Sequence, residues 1–185
     1  MPYYAWILII LGIVLLWIVL AYNSLVSRRN QVDESWSDID IQLKRRYDLI
    51  PNLIEAVKGY MTHEQKTLEN VTKARTMAMS AKNMAEHAKT ENMLSETLKS
   101  LFAVSENYPD LKASQNFLQL QDELSDTENK IQAARRFFNA NTRDFNTVAQ
   151  SFPTNIIANL FKFASREFFE LKEEAAREAP KVSFK

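Results

Sequence analysis

Apolar and polar positions change rhythm along this chain. From Tyr3 to Tyr22 the sequence reads YYAWILIILGIVLLWIVLAY and carries no charge at any position. At 1.5 Å per helical residue that stretch covers roughly 30 Å, the thickness of a bilayer's hydrocarbon core. From Leu25 onward, apolar or small side chains recur mostly every three or four residues: Leu25, Val32, Trp36, Ile39, Leu43, Tyr47, Ile50, Ile54, Val57, Met61, Leu68 and Val71. That spacing keeps them on one helical face, while Asp33, Asp40, Lys44, Lys58 and Lys66 fall on the others. The pattern predicts a helix that leaves the span and runs to about residue 80. Its two successive four-residue steps, Ile39 to Leu43 to Tyr47, form a stutter that locally unwinds a left-handed coil.

Pro51 sits inside this pattern. It removes one backbone donor and disfavours helical geometry at Ile50. The apolar face stays in step on both sides, so Asp48 to Leu53 reads as a bend in a continuing helix. A helix restarted from a cap at Asp48 is the alternative. Beyond Ala74 the run TMAMSAKNMAEHAKTENM is small and methionine-rich. A helix–helix joint is the preferred reading there, over a soft binding surface around Met77, Met79 and Met84.

A helix is predicted over 84–106 with Leu94, Leu98, Leu101 and Phe102 on its buried side, and Asn107-Tyr108-Pro109-Asp110 supplies a turn. Ser114 is a candidate cap for the next helix, where Phe117, Leu120, Leu124, Thr127, Ile131, Ala134, Phe138, Asn141, Phe145 and Val148 alternate by three and four. This is a coiled-coil-like seam, and its polar members Thr127 and Asn141 suit register-setting rather than chemistry. Ser151-Phe152-Pro153-Thr154 ends it. The segment beyond is dense in phenylalanine: Ile156, Ile157, Leu160, Phe161, Phe163, Phe168 and Phe169 either dock on the bundle or lie in a membrane interface, with Lys162 and Arg166 toward headgroups. Because it lacks a basic excess, core or subunit packing is preferred. A charged helix and an extended tail over Pro180 to Phe184 complete the chain.

The expected organisation is a transmembrane anchor over 1–24 with a short outside N-terminus, a helical-bundle core over 25–151, and a terminal segment over 152–185. Composition supports an all-α fold, an N-terminal transmembrane helix continuing into a long-helix antiparallel bundle. There are only two glycines, Gly12 and Gly59, and five prolines, too few for a turn-rich β fold. Lys plus Arg equal Asp plus Glu at 23 each, so no basic surplus points to nucleic acid. Cysteine is absent, which excludes disulfides and thiolate metal sites.

Aromatic residues flank the span, Tyr3, Tyr4 and Trp6 at one end and Trp17 and Tyr22 at the other, as expected near headgroups. A cleaved signal peptide ending near Val19-Leu20-Ala21 is the rival reading. It is disfavoured by the missing N-terminal Lys or Arg and by the length of the apolar run. Arg28 and Arg29 follow the span closely, so the positive-inside rule puts the N-terminus outside and the domain in the cytoplasm.

Catalytic motifs are not found. His63-Glu64 would need a second histidine four residues on for a zinc-peptidase motif, and that position is Thr67. The other histidine, His87, is remote. No Glu-x-x-His pair, Gly-rich loop or nucleophile motif occurs, so neither catalysis nor a metal or other cofactor is expected.

Several ordered motifs are nonetheless distinctive: Tyr22-Asn23 with Leu25 and Val26; Arg46 to Leu53; Val57 to Tyr60 with His63-Glu64; and Ala74-Arg75. They continue with Tyr108 to Ala113, Thr127 to Ile131, Ala134-Arg135, Phe138-Asn139, Phe145-Asn146 and Ser151-Phe152-Pro153. In these the chain resembles the LemA family over nearly its whole length. The resemblance implies a bacterial inner-membrane protein with an extracytoplasmic N-terminus, a cytoplasmic helical bundle and no established enzymatic activity. It also implies a kinship with members associated with building internal membranes. One departure is aromatic: Phe138 and Phe145 stand where tyrosine would be expected, so any role of a phenol there is lost.

Together these readings give two functional expectations. One is a self-assembling membrane scaffold in contact with lipid, its homo-oligomer seam at Leu25, Val32, Trp36, Ile39, Leu43 and Tyr47. The other is a monomeric membrane-tethered adaptor or signalling module for a cytoplasmic or membrane protein. In either, Arg46, Asn52, Glu128, Arg135, Asn139 and Asn146 are candidates for a structural polar network, and Pro51 for the bend.

Overall fold

Helix-forming sequence with few breakers builds helices and short connections only. The computed structural model describes residues 2–169, and no strand occurs among them. The helices are α1 (Tyr3–Lys58), α2 (Gln65–Met79), α3 (Met84–Ser105), the single turn α4 (Pro109–Lys112), α5 (Gln115–Gln150) and α6 (Thr154–Leu160). The charged helix and extended tail expected near the C-terminus lie outside the described residues.

The helix expected to reach residue 80 stops at Lys58, and α2 begins only at Gln65. Gly59 accounts for the break, since glycine costs a helix about 1 kcal/mol relative to alanine. The Met61 amide still donates to the Val57 carbonyl at 2.9 Å. Met61 is thereby turned inward and buried, which is why the apolar spacing stays in phase across a loop. Pro51 lies inside α1 without ending it, so the restart from Asp48 does not occur.

The described residues divide into two compact units. The first combines the chain up to Leu49 with Gln119–Phe168. Here Asn141 reaches the Gln31 carbonyl, Phe138 meets Trp36, and Glu128 binds Arg46. Falling numbers on α1 face rising numbers on α5, so the two run antiparallel. Their interface is apolar: Leu25, Val32, Ile39 and Leu43 from α1, and Leu124, Ile131, Phe138 and Phe145 from α5, are all buried. Each such side chain contributes about 1.5–3 kcal/mol relative to exposure.

The second unit is built from Ile50–Leu118 and, among the described residues, Phe169. Within it α2 packs on α3, with Ala74 and Ala78 of α2, and Ala88, Leu94, Leu98 and Leu101 of α3, buried. The methionine-rich joint works through its alanines: Met77 and Met79 are exposed while Ala74 and Ala78 are covered. Asn83 starts α3, its side-chain oxygen accepting the Glu86 amide at 2.9 Å. Glu86 answers by accepting the Lys82 amide, also at 2.9 Å. Two otherwise unpaired donors near the helix start are satisfied in this way.

Candidate functional site

The first functional feature is the helix that crosses from an apolar run into a packed unit. Ile7 to Leu16 and Val19-Leu20 present apolar side chains outward, and burial begins at Ala21 and Leu25. By length and composition α1 is able to cross a membrane. No linker separates that segment from the antiparallel pairing with α5, because helix and pairing share one continuous backbone.

The second feature is a set of polar contacts along α1 and α5. Arg46 sits at a core position with its side chain 2% exposed, paired with Glu128, which is 33% exposed. Eighty-two residues separate these partners in sequence. Arg135 is buried and Asn139 half-buried on the same helix as Glu128, whereas Asn52 is exposed. Asn146 works elsewhere: its side-chain amide donates to the Arg166 carbonyl at 2.9 Å, and its oxygen accepts the Arg166 amide at 2.8 Å. Arg166 in turn reaches Asp33 of α1 at 3.0 Å. Two pairings stand out among and around the six polar residues picked from the sequence. Arg46 with Glu128 is one lock, and Asn146 with Arg166 is another.

Around the second lock lies an aromatic hub. Tyr22 meets Phe161 and Phe163 edge to face, with centroids at 4.8 and 5.8 Å. Phe145 tilts against Phe163 at 6.5 Å, and the Arg29 guanidinium lies 5.4 Å from the Phe163 centroid. Phe138 stands edge-on to Trp36 at 5.6 Å. Both phenylalanines that replace an expected tyrosine are buried, where a phenol would need a hydrogen-bond partner.

Leu25, Val32, Ile39, Leu43 and Tyr47 are buried and Trp36 half-buried by this chain's own residues. The seam expected to join subunits is thus largely used within the monomer. Large apolar residues left exposed in the first unit outside the span include Ile41, Phe137, Phe152, Ile156, Leu160 and Phe161.

Groups able to titrate are dispersed. Among the described residues no cluster of three or more His, Cys, Asp or Glu converges on a point, and His63 is exposed. A shallow groove of about 590 Å³ in the second unit is lined by residues including Ile54, Met61, Leu68, Glu69 and Lys73. The Asp126 carboxyl is held below its ordinary range by a hydrogen bond from Lys130 at 2.7 Å, with Arg45 adding attraction.

Sequence reasoning includes Phe163 among the docking residues but passes over Arg166 as an anchor, and over Glu91, which is buried on α3. Glu91 did carry a signal: it stands three residues after Ala88 and three before Leu94, on the apolar face. Arg166 carried none, because its partners lie 20 and 133 residues away.

Comparison with known proteins agrees with the motif reading. The model of the LemA family matches residues 35–184. Protein LemA of Metamycoplasma hominis is 27% identical over 152 residues, covering 82% of this chain and 69% of that protein. Magnetosome protein MamQ of Magnetospirillum gryphiswaldense is 19% identical over 192 residues, covering 90% and 70%. Magnetosome protein MamQ 2 of Paramagnetospirillum magneticum is 20% identical with the same coverage.

Proposed function

The chain belongs to the LemA family, and from that premise we propose that it is a membrane-anchored helical scaffold that self-assembles and organises the bacterial membrane without catalysis. In this reading the span Tyr3 to Tyr22 crosses the inner membrane with its N-terminus outside, and the folded units lie in the cytoplasm. The observation that carries the proposal is the unbroken passage of α1 from an outward-facing apolar run into antiparallel packing with α5. A domain joined to its span by helix rather than by flexible linker holds a fixed orientation to the bilayer. Neighbouring copies then meet with little orientational freedom to lose. Likeness to proteins named for the magnetosome supports a membrane-organising role.

Contacts between copies would come from the span and from exposed residues such as Ile41 and Phe137, since the Leu25–Tyr47 seam is covered. The test is the mass of the full-length chain in mild detergent beside a form that starts at Arg28. A discrete assembly that collapses without the span supports the scaffold. Monomers in both forms refute it and leave the adaptor reading, for which the groove beside Met61 and Leu68 offers a surface.

A further inference from the structure

The short helix α6 follows α5 directly, and the antiparallel register fixes its height. Asn141 lies level with Gln31 and Phe138 with Trp36. Continued at 1.5 Å per residue on both helices, that register brings Gln150, the last residue of α5, level with about Ser24. The span ends at Tyr22. The chain therefore turns into α6 at the level where α1 leaves the apolar run, and the edge-to-face contact of Tyr22 with Phe161 at 4.8 Å places the far end of α6 there too.

Amphipathicity sorts the side chains of this turn and helix. Ile157 and Ala158 are buried against the unit. Phe152, Ile156 and Leu160, spaced by four, are 81%, 56% and 70% exposed, and Phe161 is 50% exposed. Lys162 adopts a left-handed backbone with φ 58°, and the Phe163 amide closes back on the Ala158 carbonyl at 2.8 Å. This is a helix-ending geometry usually reserved for glycine. It lets Phe163 turn inward between Tyr22 and Phe145 while Phe161 touches Tyr22 from the exposed side. Two cations accompany the patch: Lys162, exposed beside it, and Arg29, held over Phe163.

From this juxtaposition we infer that Phe152, Ile156, Leu160 and Phe161 form a second, monotopic membrane contact, seated in the cytoplasmic headgroup and upper acyl region beside the span of the same molecule. The occupant of the exposed face is lipid. The patch is continuous with the span through Tyr22, stands at the height of the interface, and is flanked by cations suited to headgroup phosphates. Of the apolar residues in this segment, Ile157 and Phe169 are buried and Phe163 is half-buried. Fastened at two points, the unit cannot pivot about α1 and is held at a set tilt to the bilayer.

The inference rests on Tyr3 to Tyr22 being a bilayer span, and the experiment separates the two. The chain has no cysteine, so single-cysteine variants of the full-length protein accept a spin label at one chosen place. Ile156→Cys and Leu160→Cys report the patch, Ile13→Cys the span, and Asn129→Cys the exposed face of α5. All are placed in vesicles of phosphatidylethanolamine and phosphatidylglycerol, and each label's accessibility to oxygen is compared with that to a water-soluble nickel complex. Labels at 156 and 160 are expected to favour oxygen severalfold, as at 13, with the label at 129 favouring nickel. Nickel access at 156 and 160 with oxygen access at 13 overturns the inference and leaves the anchor standing. Nickel access at 13 overturns the anchor and the inference with it. Shielding of 156 and 160 from both reagents, with spin–spin broadening, means that a second copy covers α6 and also overturns it.

Discussion

Asn146 grips the backbone of Arg166 from both sides, donating to its carbonyl at 2.9 Å and accepting from its amide at 2.8 Å. One side-chain amide thereby replaces a backbone partner for an extended segment that has no ladder of its own. Asparagine suits this because it offers a donor and an acceptor on one rigid plane. Asn146→Asp should lose the donor half and set a carboxylate against a carbonyl. Amide exchange at Arg166 is expected to accelerate, while α5 exchanges as before. The local cost is about 1–2 kcal/mol, that of a lost hydrogen bond and an unpaired carbonyl. Unchanged exchange at Arg166 would show that the aromatic hub alone holds the segment.

The Arg46–Glu128 lock predicts a non-additive pair. Arg46 is buried in the core, so removing Glu128 takes away the carboxylate that its guanidinium binds there. Glu128→Ala should cost about 2–3 kcal/mol, below the 3–5 expected of a fully buried pair because Glu128 retains solvent contact. Arg46→Met combined with Glu128→Leu should recover most of that loss, since an apolar pair carries no desolvation penalty. Thermal melts of the single and double variants form the cycle, and simple additivity would rule out a coupled lock.

Thr142 points to a stabilising change. Its hydroxyl is buried without a hydrogen-bond partner among the described residues, at a core position between Phe138 and Phe145. Thr142→Val keeps the shape and removes the desolvated group. A gain of about 1 kcal/mol is expected, the cost commonly attached to an unsatisfied buried hydroxyl. A lower melting temperature would mean that the hydroxyl has a partner in solution.

How the α5 core was read from the sequence shows where pattern reasoning stops. The three-and-four spacing puts Ala134, Asn141 and Val148 on the seam; they are half-buried, whereas their neighbours Arg135, Thr142 and Ala149 are buried. An apolar pattern prefers Ala134 to Arg135, and steps of three and four then carry it on to Asn141 and Val148, although a buried stripe is wide enough to hold both neighbours. Phe117, Ile131, Phe138 and Phe145 were identified because local spacing alone decides them. The loop after Lys58 went unseen because Met61 stays in phase, and Arg166 because its partners are set only by tertiary packing. The Arg46–Glu128 pair was half legible: both residues stood out in family-like motifs, but their pairing needed the antiparallel register.

At the start of α3, acid should loosen one particular turn. The Glu86 carboxyl is held below its ordinary range, chiefly by the hydrogen bond it accepts from the Lys82 amide, against an opposing loss of hydration and with Asn83, Lys82 and His87 adding to the effect. A carboxylate depressed in the folded state stabilises it above the unfolded value, and that contribution is lost as pH falls through the depressed one. The Lys82 amide resonance is therefore expected to shift in acid below the usual glutamate range, and to stay flat there in Glu86→Gln. Asn83→Ala should cost about 1 kcal/mol at neutral pH, the usual value for a lost N-cap. A flat Lys82 profile in the native chain would remove the carboxylate from the cap.

Trp36 and Tyr47 bear on how any assembly must be tested. Trp36 packs edge-on to Phe138 at 5.6 Å, and Tyr47 is buried by the chain itself. Trp36→Ala should cost about 2–3 kcal/mol, less than the 3–5 of a fully buried tryptophan because the ring is half-exposed. Tyr47→Ala should add independently, since the two sites lie about 16 Å apart along the helix. A double variant that lost both assembly and fold would say nothing about subunit contacts. Ile41→Ser with Phe137→Ser changes two exposed residues of the same unit and should leave the melting temperature within a few degrees, as surface substitutions usually do. If that variant keeps both its fold and its assembly mass, contact between copies resides in the span. If it keeps its fold and loses mass, the outer faces of α1 and α5 carry the contact.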